Sequence, residues 1–217
     1  MLPAYRTIYQ MGQWEEIINK SRFIGIAVPI KTEEEAIEAI EKSKQTFKGA
    51  THYVYAYILG YQQEVQRYSD DGEPNGTAGI PMINYLKSEN LTHLVVIVIR
   101  YFGGIKLGTG GLARAYSKVA KQSVDQGKIM TAQGFVQVAI TFDYALLGKL
   151  ENRLESMPCH LISKTFEAKP QFILLIKETQ VSQVYEHLVE LTSDQLDWEE
   201  QQRTYYLEEN NNIYPIE

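Results

Sequence analysis

The segment that decides the fold of this chain reads Arg100-Tyr-Phe-Gly-Gly-Ile-Lys-Leu-Gly-Thr-Gly-Gly-Leu-Ala-Arg-Ala-Tyr116. An apolar run typical of a buried strand, His93 to Ile99, leads into it, and a helix-like pattern, Leu112 to Gln126, follows it. Glycine, which tolerates positive φ and close backbone approach, occurs five times within nine positions. These glycines are Gly103, Gly104, Gly108, Gly110 and Gly111. We therefore predict a strand, a glycine-rich loop over 103–111 and a helix.

Positive charge brackets this loop at Arg100, Lys106 and Arg114. Free N–H groups at the start of the following helix favour an anion, so we interpret the loop as a candidate anion or polynucleotide site. The alternative is a connection that only lets the helix pack closely on the sheet. A P-loop is excluded because Gly108 is followed by Thr109 rather than by Lys and Ser or Thr. A dinucleotide site is excluded because no strand-ending acidic residue follows about twenty positions on.

The predicted helix has two distinct faces. Leu112, Tyr116 and Val119 share one side at helical spacing. The opposite side carries Arg114, Lys118 and Lys121, and Asp125 weakens its positive charge near the end. Charged outer faces are commonly just solvated, but this one is continuous with the glycine-rich loop. We therefore include it in the candidate site.

Charge is divided unevenly over the 217 residues, whose formal net charge is −6. Residues 1–134 carry 15 basic and 13 acidic residues, and residues 135–217 carry 6 and 14. The overall acidity argues against indiscriminate nucleic-acid binding but leaves room for a local basic patch on the first half. There is no membrane-length apolar run, the N-terminus lacks signal-peptide features, and one cysteine fits a reducing compartment. We expect a cytoplasmic protein without a membrane partner.

The first half alternates strand and helix patterns. A helix is predicted to begin at Thr32, whose side chain would form a capping box with Glu35. Three further strands and a short helix are predicted around it. Their ranges are 22–30, 51–59 and 64–68 for the strands, with a hairpin turn at 60–63, and 77–88 for the helix.

The second half predicts the order βαββαβ, the ferredoxin-like split arrangement with two helices on one face of an antiparallel sheet. The predicted elements are the strands 135–142, 161–167, 172–178 and 198–207 and the helices 143–157 and 181–192. A boundary is expected between Gly127 and Gly134, where the composition turns acidic. We therefore predict an α+β protein with domains at 1–130 and 135–208, followed by a frayed tail over 208–217.

A dense polar turn lies between Ser69 and Gly79. Asp70, Asp71 and Glu73 place three carboxylates within four residues, which could hold a hard cation or form a polar site. The favoured interpretation is structural, because Asp, Asn, Gly and Pro satisfy and shape turns. Thr77 is expected to cap the next helix. We predict neither a metal nor a cofactor.

Other reactive residues give no catalytic constellation. Cys159 and His160 are sequence neighbours, and adjacent residues on a strand point to opposite faces, so they make a poor nucleophile–base pair. The four histidines show no metal-ligand spacing. The tyrosines of the 51–61 segment are predicted to share one side of a strand, where they could form core or, if exposed, stack bases. They are Tyr53, Tyr55, Tyr57 and Tyr61. We assign no catalytic residue.

Taken together, these motifs resemble the IMPACT/YigZ family. The resemblance rests on four stretches, of which the last two are long and specific: Lys20–Phe23, Ala50–His52, Asp70–Pro81 and Arg100–Tyr116. It implies an N-terminal domain with the fold of the second domain of a small-subunit ribosomal protein. It also implies a ferredoxin-like C-terminal domain similar to one in elongation factor G. Eukaryotic members restrain a translation-controlling kinase through an extra N-terminal domain, and we do not carry that mechanism over.

Three functions remain open. The leading hypothesis is a non-enzymatic, translation-linked regulator that contacts RNA or the ribosome through the loop glycines and Arg100, Lys106, Arg114, Lys118 and Lys121. The second is an enzyme or binder for a phosphorylated small molecule, with Asp70, Asp71 or Glu73 as base or metal ligand. The third is a protein-interaction module working through the acidic second half, with a partner from the translation apparatus.

Overall fold

A computed structural model describes residues 1–209 and 212–216 as an α+β protein. The chain divides into two compact units. The first comprises Tyr5–Thr131, and the second comprises Met1–Ala4 together with Ala132–Glu217.

The first unit is built around one antiparallel sheet. The strands of the first unit are β1 (Tyr5–Ile8), β2 (Gly12–Ile18), β3 (Ser21–Pro29), β4 (His52–Leu59), β5 (Val65–Ser69) and β6 (Leu94–Tyr101). Its helices are α1 (Glu33–Thr46), α2 (Gly79–Ser88) and α3 (Gly108–Gln126). Five of the strands form the sheet in the order β2-β3-β6-β4-β5. The central strand β6 is therefore covered on both edges by antiparallel neighbours.

Strand β6 is apolar from Leu94 to Ile99, because both faces of the sheet are covered there. Its alternate residues Leu94, Val96 and Val98 pack in a core with residues of α2 and α3. The intervening residues Val95, Ile97 and Ile99 pack in a second core with residues of α1. Successive side chains of a strand point to opposite faces, so one continuous apolar run serves two cores.

Helix α3 packs closely on strand β3 of this sheet. A Cβ atom placed on Gly25 of β3 would come within 2.8 Å of Val119 Cγ1 and 2.9 Å of the Val119 carbonyl oxygen. Leu112, Tyr116 and Val119 are buried, as the predicted amphipathic pattern requires. Arg114, Lys118 and Lys121 are exposed.

The helix caps follow the predictions in one case and differ in another. Thr32 Oγ1 accepts a hydrogen bond from Glu35 N (3.2 Å), and Glu35 Oε2 accepts one from Lys31 N (2.6 Å). The predicted cap at Thr77 is wrong, because the Thr77 hydroxyl donates to the Pro74 carbonyl instead (2.6 Å). The carboxylate of Asp70 satisfies the start of α2, as described with the site below.

The second unit contains β7 (Ile129–Phe142), α4 (Leu147–Leu154), β8 (Cys159–Phe166), β9 (Pro170–Lys177), α5 (Val181–Thr192), β10 (Leu196–Glu209) and β11 (Asn212–Pro215). A turn of 3-10 helix precedes each α-helix. The strand order is β11-β10-β7-β9-β8, and the first six elements run βαββαβ as the sequence indicates. A core of Phe142, Leu150, Phe172 and Leu188, among others, joins both helices to the sheet.

The predicted fraying of the tail is wrong for most of its length. Strand β10 continues to Glu209 and pairs antiparallel with β11, from Tyr206 opposite Pro215 to Glu209 opposite Asn212. Cross-strand hydrogen bonding therefore orders these polar residues. Residues 210, 211 and 217 lie outside the described part of the chain. No helix of the described residues has the length and hydropathy needed to cross a bilayer.

We predict that Gly25→Ala destabilises the protein by about 1–3 kcal/mol, because the new methyl group would overlap the backbone and side chain of Val119 in α3. Urea unfolding of the full chain measures this change. Gly110→Ala is the control, since its Cβ would meet only the flexible end of Arg114, at 3.6 Å. A Gly25→Ala protein as stable as the control would contradict the close packing of α3 on β3.

Candidate functional site

A buried polar cluster joins the motifs that the sequence singles out. We call it the Glu73 cluster, and its members are Ser21, His52, Glu73, Arg100 and Tyr116. Ser21 and Arg100 lie at one end of β3 and β6, and His52 begins β4 beside Arg100. Tyr116 reaches the cluster from the buried face of α3. Residues far apart in sequence thus converge at one end of the sheet.

One carboxylate oxygen is the centre of this cluster. Glu73 Oε1 accepts hydrogen bonds from Arg100 Nη1 (2.6 Å) and from the Tyr116 hydroxyl (2.9 Å). His52 Nε2 lies 3.7 Å from the same oxygen. The side chains of Glu73 and Arg100 are each only 4% exposed. Their charges are therefore paired away from water, where losing either partner would leave the other uncompensated.

The guanidinium of Arg100 is fixed on several sides. Its Nη2 donates to Ser21 Oγ (3.2 Å), and its central carbon lies 5.3 Å from the centre of the Phe23 ring and 5.2 Å from that of Phe102. These contacts combine a hydrogen bond with cation–π attraction. Arg100 was expected among the residues that contact a ligand. Because it is buried against Glu73, we assign it instead to positioning the loop that follows it.

Burial also sets the protonation of Tyr116. Desolvation, followed by the nearby charge and hydrogen bond of Glu73, raises the pKa of Tyr116 far above its usual range. The phenol therefore stays neutral at physiological pH and remains a hydrogen-bond donor to the carboxylate. It is held in place rather than poised to give up a proton.

The loop after β6 is held against the β2–β3 hairpin. Gly103 N donates to Ser21 Oγ (3.2 Å), and Phe102 N donates to Thr51 Oγ1 (3.1 Å). A Cβ atom on Gly103 would lie 1.9 Å from the Lys20 carbonyl oxygen, so only glycine allows this approach. The Glu73 cluster and these two hydrogen bonds therefore fix the start of the loop.

The aspartates of the acidic turn accept hydrogen bonds from backbone N–H groups. Asp70 accepts hydrogen bonds from the backbone N–H groups of Gly76 (2.8 Å), Ala78 (3.0 Å) and Gly79 (2.8 Å). Asp71 Oδ2 accepts one from Tyr53 N (2.6 Å). Within residues 1–209 and 212–216, no group of three or more His, Cys, Asp or Glu side chains is arranged to hold a metal ion.

The remaining glycines of the motif are more exposed. The helix begins earlier than predicted, so Gly108, Gly110 and Gly111 form the first turn of α3 rather than part of the loop. This turn has no side-chain cap. Gly104 and Gly108 have φ values of +84° and +70°, which favour glycine. Between them Lys106 is exposed, as is Phe102, at 45%.

The cations of the predicted basic face fall into two groups. Lys118 Nζ lies 2.5 Å from Glu16 Oε1, and Lys121 Nζ lies 3.3 Å from Asp125 Oδ2. Lys106 and Arg114 form no ion pair with the described residues. A Cβ on Gly110 would lie 3.6 Å from Arg114 Nη1, so this guanidinium lies back over the first turn of α3. Lys106 and Arg114 are therefore the cations best placed for an anion at this turn.

The remaining candidates lie elsewhere. Tyr57 is buried, Tyr53 and Tyr55 pack partly buried against the core under α1, and Tyr61 lies beyond the end of β4 and is 44% exposed. Cys159 is half-buried in the second unit, and burial raises the pKa of its thiol to about 11. A thiol held protonated at neutral pH is a poor nucleophile.

The roles of Ser21, His52 and Glu16 were not predicted from the sequence. Ser21 and His52 belong to short matching stretches, but nothing local in the sequence shows that they meet Arg100 and Glu73. An arginine at the end of a fully apolar strand was the available signal that a buried carboxylate lies nearby. Glu16 lies on the same, partly buried face of the edge strand β2 as Trp14 and Ile18, and this strand was not predicted from the sequence.

We predict that Glu73→Gln destabilises the protein by about 2–4 kcal/mol, because Arg100 would keep its charge in a buried site without a counter-charge. Asp71→Asn, a matched change in the same turn, removes only a more exposed acceptor and should cost under about 1 kcal/mol. Urea unfolding of both variants gives the comparison. Equal losses would show that the Glu73–Arg100 pair has no special part in the fold.

Comparison with known proteins supports a single family along the chain. The Impact N-terminal domain matches residues 19–124, and a domain of unknown function, DUF1949, matches residues 140–195. The four stretches that resemble the family all lie within the first match, and each contributes to the Glu73 cluster or the contacts around it.

Similar proteins are found in bacteria and in mammals. The chain is 37% identical over 217 residues to the IMPACT family member YvyE of Bacillus subtilis, covering 100% of both chains. It is 33% identical over 162 residues to YigZ of Escherichia coli, covering 74% of this chain and 78% of that one. Rabbit Protein IMPACT matches over 93 residues at 30% identity, which covers 41% of this chain and 29% of that protein.

A solved structure has a similar fold. The crystal structure of a hypothetical protein superimposes with a TM-score of 0.59 at 26% identity, covering 93% of this chain and 99% of that one. With the full-length likeness to YvyE, this agreement extends over both units. The chain is a member of the IMPACT family.

Proposed function

We propose that this protein is a non-enzymatic, translation-linked regulator that binds RNA, free or in the ribosome, at the start of α3. The proposal rests on one observation: a glycine loop whose start is held by hydrogen bonds leads into a 19-residue helix without a side-chain N-cap, beside two cations that form no ion pair with the described residues. The proposed contact residues are Gly103, Gly104, Lys106, Gly108, Gly110, Gly111, Arg114, Lys118 and Lys121.

The first turn of α3 offers what a phosphate needs. The N-cap residue Leu107 supplies no side-chain acceptor to its backbone N–H groups, and the helix dipole adds partial positive charge at that end. Lys106 and Arg114 add two full charges nearby. Such contacts bind the nucleic-acid backbone without reading its sequence. The site therefore favours RNA of many sequences over one particular motif.

Phe102 adds a surface for bases. Its ring is 45% exposed although Arg100 lies over it. A base can stack on an aromatic ring regardless of its identity, and the buried cation holds that ring in place. An aromatic platform next to helix N–H groups and cations suits single-stranded segments of RNA.

The competing enzyme hypothesis has less support. Asp70 and Asp71 accept backbone hydrogen bonds, and Glu73 is paired with Arg100, so each carboxylate already has a structural partner. None is left in position to act as a base toward a ligand on α3. Asp70, Asp71 and Thr77 instead order the turn before α2, and Glu73 holds Arg100 and Tyr116.

Family resemblance adds support of a different kind. It implies a ribosomal-protein-like fold for the first unit and an elongation-factor-like fold for the second. Folds of that kind in one chain favour a place on the translation apparatus, and the single cysteine favours a cytoplasmic setting. The surface at α3 gives such a protein a direct way to contact ribosomal RNA.

The lysines paired with carboxylates are secondary contacts. Exposed ion pairs such as Lys118–Glu16 and Lys121–Asp125 contribute little to stability, so a phosphate can compete for the lysine. Each contact that forms releases condensed counterions from the RNA. Affinity should therefore depend steeply on salt.

We predict that raising salt from about 50 to 200 mM weakens binding of a fluorescent single-stranded RNA about 20- to 50-fold, as three to four phosphate contacts require. The double variant Lys106→Glu, Arg114→Glu should lower RNA affinity at low salt by on the order of 30-fold or more. It should also reduce the slope of log affinity against log salt concentration by the equivalent of about two phosphate contacts. Fluorescence anisotropy measures both effects.

The matched control is Lys42→Glu, Lys48→Glu, which reverses two exposed lysines in and just after α1, the helix that packs on the other face of the sheet. It changes net charge equally but should leave RNA affinity within about twofold. Equal losses of RNA affinity in both double variants would show that binding depends only on the net charge of the protein. Absence of binding at low salt would refute the proposal.

A further inference from the structure

A groove in the second unit lies between the first turns of α5 and the start of β10. Its volume is about 510 Å³. Helix α5 contributes Val181, Ser182 and Tyr185 to its wall. Strand β10 contributes Leu196, Trp198 and Glu200, which alternate along one face, together with Asp197. The groove is thus lined by both apolar and acidic side chains.

Two aromatic rings form the centre of this groove. Tyr185 and Trp198 meet edge to face, with ring centres 5.2 Å apart. Trp198 packs partly buried against the core, while Tyr185 is 42% exposed. A solvent-exposed tyrosine supported by an anchored tryptophan presents aromatic surface to a ligand. Such surface attracts cations as well as apolar groups.

The charges around the groove are mostly negative. A second depression of about 250 Å³ shares Leu196 and Asp197 with it and adds Asp143, Asp194 and Lys169. Lys169 is paired with Asp143 (3.3 Å), and Arg203 is paired with Glu200 (3.1 Å). Asp194 and Asp197 form no ion pair with any described residue. Asp197 is therefore an unpaired carboxylate in the groove of the aromatic pair, and Asp194 is a second one in the adjoining depression.

We propose that this groove binds a short basic segment of a partner protein, with an arginine or lysine over the aromatic pair and its charge toward Asp197. Arginine suits the site best, since its planar guanidinium stacks on aromatic rings and pairs with carboxylates. Valine and leucine at the base accept a neighbouring apolar residue. RNA does not fit, because the carboxylates repel phosphates. This second binding surface is separate from the RNA surface on α3.

The test uses the full chain with Trp14→Phe, which leaves Trp198 as the sole tryptophan. Its fluorescence is followed while the peptide Arg-Leu-Arg-Leu-Arg, blocked at both ends, is added. We expect a saturable change, and none with the matching Glu-Leu-Glu-Leu-Glu peptide. No saturable change with the arginine peptide, or an equal response to the acidic one, would overturn the proposal.

Three variants locate the binding. Asp197→Asn should weaken the arginine peptide about fivefold, and Tyr185→Ala about tenfold, from loss of charge pairing and of the exposed ring. Glu199→Gln is the matched control, because Glu199 lies between two groove residues without lining the groove, and it should change nothing. Equal weakening of peptide binding by Asp197→Asn and Glu199→Gln would show that the peptide does not bind at Asp197 and would overturn the proposal. Lys106→Glu, Arg114→Glu should leave peptide binding intact, whatever it does to RNA.

Discussion

The buried ion pair between Glu73 and Arg100 is the constraint on which the first unit depends. It connects the turn before α2 to the end of the central strand, and Tyr116 brings α3 to the same carboxylate oxygen. A buried charge pair is not a strong source of stability compared with apolar packing. Its effect is on specificity, because any arrangement that separates the two residues leaves a charge buried alone. The pair thus helps to fix the relative positions of three elements: the turn before α2, the end of β6 and helix α3.

This constraint changes how the motif at 100–116 is understood. Arg100, the first charged residue of the motif, fixes the loop, and Gly103 lets that loop approach the β2–β3 hairpin. What remains exposed is backbone and side chain that the fold does not use: the first turn of α3, Lys106 and Arg114. Binding to a surface already ordered in the free protein avoids the cost of ordering a loop. The second unit carries a groove with acidic residues, and we propose that the two units bind different kinds of ligand.

Sequence alone predicted the elements whose periodicity is strong. Strand β6 and the faces of α3 follow directly from the spacing of apolar residues, as does the βαββαβ order of the second unit. Strands β1 and β2 were missed because they are short or interrupted by charges such as Glu15 and Glu16. The tail was expected to fray because its residues are polar, yet cross-strand pairing orders β11. The Glu73–Arg100 contact joins residues 27 positions apart. An arginine at the end of an apolar run indicates that a carboxylate lies nearby, but local patterns do not identify which one.

The most direct test of this account is residue-resolved amide hydrogen exchange of the free protein and its Glu73→Gln variant. If the buried pair fixes the loop, the N–H groups of Phe102 and Gly103 should exchange at least about tenfold faster in the variant, measured relative to the central amides of β6. If their exchange is unchanged, or rises only in step with β6, the loop is held by something other than the Glu73–Arg100 pair and the central claim is wrong.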